Sequence, residues 1–224
     1  MLSWLTRRLR SSIGKKLVIA ITGLLLVGFV IIHLLGNLLL FVGPQAYNEY
    51  AHKIHSAPEL LIVAEVGLFA LLFGHIYLAI AIALENRRAR STDYAMKISK
   101  IDTGALTAPA SNFMVASGLI VLVFLIVHLS DFKFELRNRG MESELPFDKA
   151  IRLLHDPVTF ITYVVGSIVL GYHLSHGFQS AFHTLGLRHP KYAPIIRTLS
   201  ILLALVVGLG FASFPVWATG IHGK

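Results

Sequence analysis

Five long apolar runs, Leu17–Val42, Leu60–Leu84, Ala110–Leu129, Val158–Phe178 and Ile195–Val216, alternate with polar segments along the chain. Each approaches or exceeds the roughly 20 residues an α-helix needs to cross a bilayer. The pattern predicts an all-α, polytopic membrane protein with spanning helices over about 15–42, 59–84, 109–132, 157–180 and 195–219. Pro58, Pro109, Pro157 and Pro194 stand at or just before the starts of the second to fifth helices, where a missing N–H costs nothing. Asp156, ahead of Pro157, is a natural N-cap. One membrane domain, residues 1–224, takes up the whole chain.

Composition strengthens this reading. Only 14% of the 224 residues are charged and mean hydropathy is +0.69, against about 25% charged residues in soluble domains. The basic segment before the first apolar run suggests a signal peptide, but the run is too long for one and lacks a small-residue cleavage pattern. It is expected to remain as a helix.

The net charge of +8 does not point to nucleic acid, because its distribution follows the membrane. Lys and Arg concentrate in residues 1–16, 86–108 and 179–197, whereas the 130–157 loop also carries Asp131, Glu135, Glu142, Glu144, Asp148 and Asp156. The positive-inside rule then places the N-terminus in the cytoplasm and the C-terminus outside a bacterial-type inner membrane. The long acidic 130–157 loop is expected to cap the outer side. The chain has no cysteine, so it can hold neither a cysteine-ligated iron–sulfur cluster nor a covalently attached haem.

Four histidines, His33, His75, His128 and His173, lie past the midpoints of the first four apolar runs. An ionisable side chain at membrane depth is costly and points to function, and imidazole is a common axial ligand of haem iron. Because the helices alternate in direction, His33 and His128 share the outer half and His75 and His173 the inner half. At ~1.5 Å per residue, the two levels lie on the order of 14 Å apart. Two stacked bis-histidine b-type haems suit that arrangement.

Small residues beside a ligand make room for a porphyrin: Gly36 follows His33 by three, while Ala79 and Gly177 follow His75 and His173 by four. His128 has Phe124 and Phe132 at such offsets instead. A lone intramembrane histidine is commonly an interhelical hydrogen-bond partner, but four whose depth alternates with topology fit ligands better. His176 competes with His173, from which it is one turn away. His52, His55, His155, His183, His189 and His222 fall in loops or at interfaces.

The segments Ser11-Ser12-Ile13-Gly14-Lys15-Lys16, His33-Leu34-Leu35-Gly36-Asn37 and Gly171-Tyr172-His173-Leu174-Ser175-His176-Gly177-Phe178-Gln179-Ser180-Ala181-Phe182 resemble the five-helix, two-haem cytochrome b subunit of succinate dehydrogenases and fumarate reductases. The resemblance runs over nearly the whole chain. It implies a proximal haem b on His75 and His173, and a distal one on His33 and His128. It further implies two partners, a flavoprotein with covalent FAD and an iron–sulfur protein, with electrons passing to or from a membrane quinone, commonly menaquinone.

A quinone needs acid/base groups at its carbonyls, and on the outer side Glu65, Glu49 and Glu59 are the candidates. On the inner side Ser12, Lys15 and Arg88, with Lys16, Arg87 and Arg188, are candidates to meet haem propionates, quinone or the iron–sulfur subunit. Two other functions remain open: the di-haem cytochrome b of another quinone-linked dehydrogenase, and a haem-free transporter using the histidines and Glu65 as a proton relay.

Overall fold

The computed structural model describes residues 11–89, 110–137 and 144–222. They form eight helices in chain order: α1 Ser12–Asn37, α2 Leu39–Val42, α3 Pro44–His55, α4 Pro58–Arg88, α5 Ala110–Phe132, α6 Pro146–His155, α7 Pro157–Thr184 and α8 Ala193–His222. Five spans are long and apolar enough to cross a membrane: Ser12–Val42, Pro58–Arg88, Phe113–Phe132, Pro157–Thr184 and Ala193–Gly220. The fold is therefore an all-α bundle with five candidate spans, a multi-pass membrane architecture.

Local chemistry sets the boundaries. Ser11 caps α1 by accepting from Gly14 N at 3.1 Å, and Asp156 caps α7 by accepting from Thr159 N at 2.9 Å. Proline occupies the first turn of α3, α4, α6 and α7, where its fixed φ suits the helix.

Several elements differ from the apolar pattern. The first run is interrupted at Leu38, and Gly43 turns the chain at φ 127°, a conformation that favours glycine. The helix α3 follows, too polar to read as part of a span. The 130–157 segment is more than a loop, since it contains α6. That helix buries Phe147, Ala150, Leu153 and Leu154 on one face, an amphipathic stripe packed against α3 and α8. Phe147 N donates to Asn48 Oδ1 at 2.9 Å, tying α6 to α3.

The bundle is tightest between α7 and α8. A Cβ on Gly171 would lie 2.6 Å from Ala204 O and 3.0 Å from Gly208 Cα, so the two backbones meet through small residues, as membrane helices commonly do. Ser167 and Ser200 are buried. Phe124 of α5 rests on Gly166 of α7, and Leu34 of α1 on Gly210 of α8. Val27, Leu174 and Val207 join α1, α7 and α8 in one apolar cluster.

The helix α4 has no buried residue and packs chiefly on α1. Ile32, Val63, Leu119 and Val206 are among the exposed large apolar side chains. Such surface suits hydrocarbon contact.

Candidate functional site

The end of the bundle where α1 begins is called here the near end, and the opposite one the far end. Antiparallel neighbours carry the four histidines to two levels between them.

At the far level, His33 of α1 faces His128 of α5, with ring centres 5.8 Å apart and the planes nearly perpendicular at 83°. Two imidazoles that each approach one metal to ~2 Å through nitrogen hold their ring centres about 6 Å apart. That spacing would let His33 and His128 serve one metal, and His33 Nε2 also lies 3.5 Å from Asn37 Nδ2. Phe29 stacks on His33 at 5.4 Å, and Phe211 of α8 lies 5.7 Å away. Phe124 and Phe132 flank His128 at 6.0 and 5.5 Å, enclosing the pair in aromatic rings.

His128 Nδ1 lies 3.2 Å from Tyr163 Oη, and that hydroxyl donates to Asp131 Oδ2 at 3.5 Å. With its proton directed to the carboxylate, the Tyr163 oxygen can accept from an Nδ1–H of His128, leaving the lone pair on Nε2. Asp131 has no exposed surface and is paired with Arg137 Nη1 at 3.1 Å. Arg137 also donates to Thr159 Oγ1 at 3.3 Å and to Asp156 Oδ1 at 3.1 Å. The network reaches the far surface at a cavity of about 350 Å³ lined by Arg137, Arg152, Leu153, His155, Asp156 and Thr159. Asp156 is held below the usual carboxylate range chiefly by the Thr159 N–H, with help from the Thr159 hydroxyl and Arg137 and opposed by desolvation.

At the near level, His75 of α4 and His173 of α7 are each held by a hydroxyl on an adjacent helix. His75 Nδ1 is 3.1 Å from Thr22 Oγ1 of α1, and His173 Nδ1 is 3.1 Å from Ser117 Oγ of α5. Both rings are half-buried. His176 is more deeply buried, but its Nδ1 meets only its own helix, at Tyr172 O and Ser175 Oγ. Its Nε2 has no hydrogen-bond partner. His173, rather than His176, is the residue anchored to a neighbouring helix.

Of the glycines expected to make room, Gly177 is open, a Cβ there standing 3.8 Å from Met114 Cε, while Gly36 is filled. Gly36 admits Tyr50 of α3, with whose hydroxyl a Cβ would collide, so it does not provide the space expected beside His33. The near rings also face glycines across the helix interface: a Cβ on Gly23 would stand 3.2 Å from His75 Cε1, and one on Gly118 3.3 Å from His173 Cε1.

The remaining candidates are placed as follows. Glu65 pairs with Lys133, just past the end of α5, and Lys15 pairs with Glu85 of α4. Glu49 accepts from Gln45 on its own helix at 3.0 Å. Ser12, Lys16, Glu59, Arg87, Arg88 and Arg188 are exposed, and of these Glu59 sits in the first turn of α4. The structure does not gather Glu49, Glu59 and Glu65 into one cluster by any hydrogen bond among them. Thr22, Ser117, Tyr163, Asp131 and Arg137 were not singled out by the sequence, although each lies one contact or a short network from a histidine.

Among the described residues, no group of three or more His, Cys, Asp or Glu side chains gathers to hold a bare metal ion. The histidines come in pairs, the number that a porphyrin-bound iron takes. No family model, curated protein or solved structure matches this chain.

Proposed function

We propose that the chain is the di-haem cytochrome b anchor of a succinate:quinone oxidoreductase. The observation that carries the reading is four histidines at two depths of a five-span bundle, His33 facing His128 at 5.8 Å and His75 and His173 each anchored to a hydroxyl on an adjacent helix. A haem b on each pair supplies one-electron transfer between the two sides of the membrane.

The chain's own residues hold and insulate those positions. Nδ1 of His75 and of His173 is anchored, which leaves Nε2 of each for iron. The aromatic rings around His33 and His128 keep water from the distal site. The near end faces the cytoplasm on the positive-inside argument, and Lys16, Arg87, Arg88 and Arg188 there offer basic side chains to an iron–sulfur subunit that in turn carries a flavoprotein with FAD. Ser12 and the Lys15–Glu85 pair border the same face.

At the far end the Glu65–Lys133 pair is the acid/base group assigned to a quinone, commonly menaquinone, with Glu49 and Glu59 nearer the rim. A carboxylate and an ammonium side by side can give and take protons at a quinone carbonyl.

Isolation of the assembled complex from membranes tests this reading. The expected result is co-purification with a polypeptide carrying covalent flavin, and a b-type absorption that appears on adding succinate. Haem that succinate leaves oxidised, without a flavoprotein partner, would contradict it.

A further inference from the structure

Two of the three spans that run from near end to far end, α1 and α5, carry the same device. On α1, Thr22-Gly23 precedes His33 by eleven residues, counting from the hydroxyl; on α5, Ser117-Gly118 precedes His128 by the same number. Eleven residues are close to three full turns, so hydroxyl and histidine share a face and stand about 16 Å apart along the axis. In both helices the hydroxyl meets a near-level histidine of an adjacent helix at 3.1 Å. The glycine next to it lets that ring approach.

Each hydroxyl also has a backbone acceptor on its own helix. Thr22 Oγ1 donates to Val18 O at 2.8 Å and lies 3.2 Å from Ile19 O, while Ser117 Oγ donates to Met114 O at 3.2 Å. With the hydroxyl proton on that carbonyl, a lone pair faces the imidazole and Nδ1 carries the hydrogen. Both contacts leave Nε2 with the lone pair that binds iron.

We propose that Thr22 and Ser117 are the positioning residues of the proximal haem. They fix the Nδ1–H tautomer and ring angle of His75 and His173, and the repeated eleven-residue spacing sets the distance between the two haem levels. This rests on the di-haem reading. A hydrogen bond from Nδ1–H makes imidazole a stronger donor and stabilises ferric iron, so its loss raises the potential.

The test uses the assembled, haem-loaded complex with Thr22→Val and Ser117→Ala, their conservative counterparts Thr22→Ser and Ser117→Thr, and Ser213→Ala. Ser213 donates to its own helix at Gly210 O and controls for loss of a helix-bonded hydroxyl. The signal removed by His173→Ala identifies the proximal haem.

In Thr22→Val and Ser117→Ala the expected result is a higher midpoint potential for that haem, an altered low-spin ferric resonance, and affinity reduced on the order of 10- to 100-fold. The distal signal stays intact, the conservative variants restore the wild-type values, and Ser213→Ala shows no shift. Unchanged proximal potential and resonance, or equal loss of both haems, would overturn the assignment. Absence of haem from the intact wild-type complex would instead overturn the underlying reading of function.

Discussion

At the scale of single residues, the histidines were readable because charge-bearing side chains are rare in apolar runs, and four of them stood out. Their partners were not. A serine or threonine inside a membrane helix ordinarily bonds its own backbone, as Thr22 and Ser117 do, and nothing in that habit marks the second lone pair as an imidazole acceptor. Tyr163 likewise reads as apolar bulk until its hydroxyl is seen between His128 and Asp131. Gly36 was misplaced for a related reason: spacing along one helix cannot tell which neighbour occupies the space, and here it is Tyr50.

Asp156 yields a pH prediction at the same scale. Its folded-state pKa is depressed, so the carboxylate contributes stability above its unfolded value, near ~3.9. That contribution is lost as pH falls through the lower folded value. Because the side chain is 44% exposed, the effect is modest. Asp156→Asn keeps a capping oxygen but no titration, so its unfolding curves measured from neutral to acid pH should decline less steeply than those of the wild type. Parallel declines would show that the Asp156 charge is immaterial to the fold.

At the scale of elements, length and hydropathy sufficed for the spans, whereas α3 and α6 escaped notice. They are short, polar on one side, and begin with Pro44 and Pro146, which in a polar segment read as readily as turn residues as helix starts. The apolar stripe of α6 depends on a bundle end to bury it, and that end is built by distant segments. The α7–α8 contact is similarly tertiary in origin, since Gly171 and Gly208 are 37 positions apart and meaningful only when opposed.

A methyl group at Gly171 would press on the Ala204 carbonyl at 2.6 Å, a backbone atom that cannot rotate away. Gly171→Ala should therefore cost about 1–3 kcal/mol by overpacking, seen as a lower unfolding temperature in detergent. By contrast Gly177→Ala, whose Cβ would be 3.8 Å from Met114 Cε, should change little. Equal effects of the two substitutions would mean that α7 and α8 are less closely packed than described.

At the scale of the whole molecule, the alternating direction of the spans converts a sequence pattern into two levels of paired histidines. The far pair meets as topology requires, at 5.8 Å, and the near histidines sit on α4, which packs chiefly on α1, and on α7, which packs on α8 and α5. The charge network from Asp131 through Arg137 to Asp156 joins the far pair to the surface, and α6 covers that end. Such a frame gives a membrane-crossing sequence of sites, which is the basis of the electron-transfer reading.

The central claim is that the two histidine pairs hold two haems. A pyridine-haemochrome assay with peptide quantitation on the assembled complex measures it directly. The account predicts two non-covalently bound b-type haems for each copy of this chain. A complex with all its subunits present and no haem b assigned to this chain would contradict it.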